Sequence, residues 1–169
     1  MHRTLQIAGC ALGVLLTGAC SSAGSSGPQK PAYGSPTAPA SNVAVTAPGP
    51  ARIGTAPNAT GLILSDAQGR AVYLFEADKS STPTCLDKCA QEWPPLTTTG
   101  APVGGTGVNT ALLATSPRPD GALQVTYNGH PLYYYNDDHG PGTTAGQGET
   151  SYGAKWYLLT PAGLKIDDD

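Results

Sequence analysis

Gly69-Arg70-Ala71-Val72-Tyr73-Leu74-Phe75-Glu76-Ala77-Asp78 returns 60 residues later, without a gap, as Gly129-His130-Pro131-Leu132-Tyr133-Tyr134-Tyr135-Asn136-Asp137-Asp138. Gly61 and Gly121 keep the same offset, and each copy is followed by a tryptophan, Trp93 or Trp156. A gapless match that preserves aromatic and acidic positions points to a duplicated unit. Around it the chain reads as β-structure. Leu123, Val125 and Tyr127 alternate along Ala122–Tyr127, as on a half-buried strand. Asn128-Gly129 follows, a pair that tolerates the positive φ of a two-residue hairpin turn. Leu132–Tyr135 is then the returning strand. In the first copy Gly61–Ser65 and Ala71–Phe75 take the same parts, with Asp66–Gly69 as a longer turn. Leu112–Thr115 and Lys155–Thr160 are further strands. A short helical piece is predicted over about 85–92 and is stopped by Pro94-Pro95. The expected fold class is all-β. Two tandem related hairpin-based repeats, about 61–98 and about 121–163, pack as one small domain with one short helix.

Outward from the repeat, composition changes sharply. Of the 40 residues from 21 to 60, 31 are Ala, Pro, Ser, Gly or Thr. Such a segment has little apolar surface to offset the entropy of ordering, so 20–60 is expected to be a disordered stalk. All 12 acidic residues lie in 61–169 with six basic ones, giving that region a net charge of −6. No basic patch is available for phosphates, which argues against nucleic-acid binding and against attraction to an anionic membrane surface.

The N-terminus has the pattern of an export signal over 1–19. Arg3 precedes an uncharged stretch, Thr4–Ala19, that is shorter than the roughly 20 residues a membrane-crossing helix needs. Leu15-Leu16-Thr17-Gly18-Ala19-Cys20 resembles a bacterial lipobox. The resemblance implies a diacylglyceryl group on the Cys20 thiol, cleavage before it, and usually acylation of the new amine. Thr17 departs from the commoner leucine. Ile7-Ala8-Gly9-Cys10 is a better local match, but leaves too short an apolar core. Two or more acyl chains, at about 0.8 kcal/mol per buried methylene, suffice for stable attachment. The expected location is extracytoplasmic, with the chain lipid-anchored to the cell membrane.

In the domain blocks the chain resembles the secreted-repeat lipoproteins, marked by a Tyr-x-(Phe/Trp/Tyr)-x-x-Asp motif. The resemblance rests on Tyr73–Asp78, on Cys85, Cys89 and Trp93-Pro94-Pro95-Leu96, and on Gln124–Tyr135. It continues through Gly146-Gln147-Gly148 and Trp156-Tyr157. That family supports export and architecture, and supplies no mechanism.

Candidate sites follow from the motif and from the reactive residues. On strands, Tyr73 and Phe75 share a face, as do Tyr133 and Tyr135, with Asp78 and Asp138 just beyond. These six residues either fill a core and cap turns, or form an aromatic shelf that stacks a flat ligand or sugar. Cys85 and Cys89 are an even pair in an exported domain, one helical turn apart, and are expected to form a structural disulfide. Their spacing is not the Cys-x-x-Cys of thiol oxidoreductases. His139 with Asp137 could offer ligands to a cation, in a spacing that fits no established metal site, so no metal and no cofactor are expected. No serine-hydrolase elbow, zinc-protease motif or phosphate loop is present. The leading expectation is a non-enzymatic envelope lipoprotein that binds a ligand or protein partner. Two alternatives remain: a redox accessory protein handling haem, copper or electrons, and a purely structural envelope component.

Overall fold

A computed structural model describes residues 49–167. The expected signal peptide, Cys20 and the stalk up to residue 48 lie outside the described residues. The domain begins earlier than Gly61. Strand β1 (Arg52–Asn58) pairs antiparallel with β2 (Gly61–Asp66), and its parallel neighbour is β5 (Val103–Gly104). Ala51 and Ile53 are buried. The C-terminal part of the expected 20–60 stalk is therefore part of the fold, because β1 covers the edge of β2.

Among the described residues two further small sheets complete the β-structure, which is open and not closed into a barrel. In one, β10 (Ala154–Leu158) lies between β3 (Tyr73–Phe75) and β9 (Thr150–Ser151). In the other, β7 (Leu123–Tyr127) lies between β4 (Thr97–Thr98) and β6 (Leu113–Pro117), and β8 (His130–Pro131) also pairs with β7. The turn between β7 and β8 has Asn128 at φ 49° and Gly129 at φ 81°, the backbone those residues were expected to supply. The single α-helix among the described residues, α1 (Asp87–Glu92), is the short helix expected before Pro94.

Alternation along the central strands divides the interior in two. Val72 and Leu74 point into one core with Ile53, Leu64, Leu96, Val125, Leu132, Tyr134 and Tyr157. Tyr73 and Phe75 point into the other with Ile63, Cys85, Cys89, Trp93, Tyr133 and Trp156. A strand buried on both faces carries an unbroken apolar run, which Ala71–Phe75 and Pro131–Tyr135 both show. The two repeats meet at Tyr73 and Tyr133, whose N–H groups each donate to the other's carbonyl, at 2.9 and 3.0 Å. This bridge lies where a two-fold axis relating the copies would pass.

Candidate functional site: the aromatic and acidic centre

The Tyr-x-aromatic-x-x-Asp residues come together, but not as an open shelf. Tyr73 and Tyr133 are 0 % exposed and Phe75 is 3 %, so no ligand can stack on them in this state. The expected binding face at Tyr73, Phe75, Asp78, Tyr133, Tyr135 and Asp138 is corrected accordingly: two cores sandwich the strands that carry it. Tyr135 alone among the four rings is partly exposed.

Each motif tyrosine uses the aspartate of the other copy. The Tyr73 hydroxyl donates to Asp138 Oδ2 at 2.7 Å, and the Tyr133 hydroxyl donates to Asp78 Oδ2 at 2.8 Å. The remaining carboxylate oxygen holds the following loop. Asp78 Oδ1 accepts from the backbone N–H and the hydroxyl of Thr84, at 2.8 and 2.5 Å. Asp138 Oδ1 accepts from the Ala145 N–H at 2.7 Å. Burial, then the neighbouring carboxylate, raises both phenols well above the ordinary tyrosine range. Burial also raises the Asp138 carboxyl, against the hydrogen bond from Tyr73.

Four rings form one stack through the centre. Trp93 and Trp156 lie face to face, 3.9 Å apart and 2° from parallel. Phe75 stacks on the outer face of Trp156 at 4.0 Å, and Tyr135 on the outer face of Trp93 at 4.1 Å. Tyr73 and Tyr133 meet Trp93 and Trp156 edge-on, at 5.5 and 5.2 Å. The duplication generates this order, since every contact has its counterpart in the other copy. Gly146 is required beside it: a Cβ there would stand 2.7 Å from the Trp93 ring. The two indole N–H groups differ. Trp93 Nε1 donates to Ser151 Oγ at 3.1 Å, whereas the buried Trp156 Nε1 has no partner among the described residues. Burial and Asp137, whose carboxylate accepts from the Tyr135 hydroxyl at 3.2 Å, push Tyr135 up to about 12.

Cys85 and Cys89 are joined in a disulfide, with Cα atoms 5.2 Å apart. Cys85 lies just before the helix, and Asp87 has φ 51°, so the bridge spans the irregular entry to α1 rather than a full helical turn. Both cysteines are buried. His139 and Asp137 are exposed, and no group of three or more His, Cys, Asp or Glu among the described residues is placed to hold a metal ion. Arg118 and Gln124, which carried no expectation, form a buried polar link. Arg118 donates to Gln124 Oε1 at 2.6 Å and to the Cys85 carbonyl at 3.1 Å, and Gln124 donates to the Leu132 carbonyl.

Two clefts flank the centre at corresponding places in the repeats. One, of about 220 Å³, includes Gln68, Arg70 and Tyr134. The other, of about 440 Å³, includes their counterparts Asn128, His130 and Leu74, with Glu76, Asp78, Lys79, Leu164 and Lys165. In the first, Arg70 is committed: it pairs with Asp66 at 2.6 Å and lies over the Tyr134 ring at 4.3 Å. In the second, Lys165 is paired with Glu76, while the side chains of His130 and Lys79 make no hydrogen bond to other described residues. Burial lowers the His130 pKa, and the Asp78 carboxylate partly opposes that.

A family model described as a secreted repeat of unknown function matches residues 54–97 and 114–160, together more than half of the chain. The two matches start 60 residues apart, the offset of the motif. No curated protein and no solved structure matches the chain. Among the described residues no helix is long and apolar enough to cross a membrane.

Proposed function

From the premise that the chain belongs to the family of secreted repeats, and so works outside the cytoplasm, we propose that it is a lipid-anchored, non-enzymatic binding module of the cell envelope. The anchor is the lipidated Cys20, and 21–48 is the tether. The ligand is a small anion, a carboxylate or phosphate, held in the cleft at His130. One observation carries this reading. Duplication made two clefts: Arg70 of the first is bound to Asp66, whereas its counterpart His130 lines the second together with Lys79, and neither of these side chains has a hydrogen-bond partner among the described residues. A volume of about 440 Å³ suits a small molecule. The absence of catalysis is supported by the commitments elsewhere: both motif tyrosines, both aspartates and both cysteines already have structural partners.

The cleft is tested by amide chemical shifts on addition of succinate or inorganic phosphate. Shifts at Lys79, His130 and Leu164 are expected, and both Lys79→Ala and His130→Ala should remove them. Because protonated imidazole attracts anions, binding should strengthen as pH falls through the lowered His130 titration. No shift at about 1 mM ligand, an affinity worth about 4 kcal/mol, would sink the cleft assignment. Lipid labelling tests the anchor separately. Label lost in Cys20→Ser supports it, and label that survives places the lipid on another cysteine.

A further inference from the structure

The central rings are arranged as a path with one open end. Tyr135 is the partly exposed terminus; behind it lie Trp93 and then Trp156, each in face-to-face contact with the next. The far terminus is Phe75, a buried ring that is much harder to oxidise than tyrosine or tryptophan. Duplication would have allowed tyrosine at both ends, so the asymmetry leaves a single outlet.

Proton acceptors are placed beside this path at particular rings. Taking an electron from a buried phenol that keeps its proton would leave a cation in a low-dielectric interior, which is costly. Tyr73 and Tyr133 avoid that cost, because Asp138 and Asp78 accept their hydroxyl protons at 2.7 and 2.8 Å. The indoles lack any such base. Trp93 donates to a neutral serine hydroxyl, and Trp156 Nε1 has no partner among the described residues. A positive hole on either indole cannot shed a proton, so it passes through to an edge-on tyrosine that can. Around the outlet stand Glu92, Asp137 and Glu149, the carboxylates whose charge Tyr135 senses. That rim favours a positively charged visitor.

We propose that the stack is a one-electron relay, in which a cationic one-electron acceptor docked at Tyr135 draws an electron out through Trp93 and Trp156, and Tyr133 or Tyr73 supplies it. The step balances within the protein. The acceptor gains one electron. Tyr135 gives it up and passes its proton to Asp137, then recovers both, the electron coming from Trp93. The hole moves on to Trp156 and Tyr133, whose phenolic proton shifts to Asp78; from Trp93 it can instead reach Tyr73 and Asp138. The net change is one electron out and one proton moved along one hydrogen bond, leaving a neutral phenoxyl radical.

The test is flash oxidation of the full mature chain by tris(bipyridine)ruthenium(III), followed by optical and electron-paramagnetic detection. Tyr33→Phe removes a phenol that lies outside the described residues, and Tyr152→Phe removes one that is 46 % exposed. A phenoxyl radical should form that ascorbate quenches far more slowly than the radical of free tyrosine. Its formation should slow in D2O, and should slow with added salt as the acidic rim is screened. Tyr135→Phe should lower its yield several-fold. Tyr73→Phe with Tyr133→Phe should leave only a rapidly quenched radical at Tyr135. A wild-type radical that ascorbate quenches as fast as free tyrosine overturns the relay without any variant, since the hole then never leaves the surface. An undiminished yield in Tyr135→Phe overturns it too.

Discussion

At the residue scale, the motif aspartates each hold a tyrosine from the other repeat with one oxygen and the loop that follows with the other. Tyr133→Phe removes one of three donors to Asp78, and should cost about 1–3 kcal/mol in denaturant unfolding, the range for an under-satisfied buried polar group. Gly146→Ala should cost a similar amount, about 1–3 kcal/mol, because the added methyl meets the immovable Trp93 ring. Asp138 gives a pH signature. Its folded carboxyl is raised above the ordinary 3.8, so the folded state keeps a proton that the unfolded chain has already released. Its contribution is therefore present in full below the unfolded value, and is lost as pH rises through the folded one. Comparing denaturation midpoints at about pH 4 and about pH 7, Asp138→Asn should flatten this part of the profile. An unchanged slope would mean that Asp138 titrates normally.

At the element scale, some elements were legible and others were not, for physical reasons. The β7–β8 hairpin was legible because alternation and Asn-Gly act locally. Strand β1 was not: Arg52–Asn58 contains Gly54 and Pro57, and its extended form comes from pairing with β2 and β5. The motif residues were identified, with core filling and an aromatic shelf both left open, and the burial of Tyr73, Phe75 and Tyr133 decides for the core. The signal was available in the apolar run Ala71–Phe75, which has no polar alternate to face water. The reciprocity of the tyrosine–aspartate pairs could not be read, since it depends on how the copies face each other. The disulfide was legible from parity and spacing. It closes a very short loop, so replacing Cys85 and Cys89 by serine should cost about 2 kcal/mol by chain entropy. Both cysteines should resist thiol reagents and reductants until the domain is unfolded, since both are buried.

At the scale of the whole molecule, the repeats do not behave as two domains. The indole pair takes one ring from each copy, as does each tyrosine–aspartate bond. A chain starting at residue 49 should unfold cooperatively. One starting at Gly61 loses β1 with its buried Ile53, and the buried Ala51 just before it, and should show no cooperative transition in calorimetry. A single copy alone should fail in the same way, since half of every central contact is missing. Reciprocity carries one more consequence. Any half-molecule that opens while the chain is folding presents groups that match the other half of any identical chain as well as its own. The long connection between the copies would then serve as a hinge, and a high local concentration of identical chains would raise the odds of exchange. Interlocked dimers built by trading repeats are thus the characteristic misassembly of this architecture, and their interior would be indistinguishable from that of the monomer.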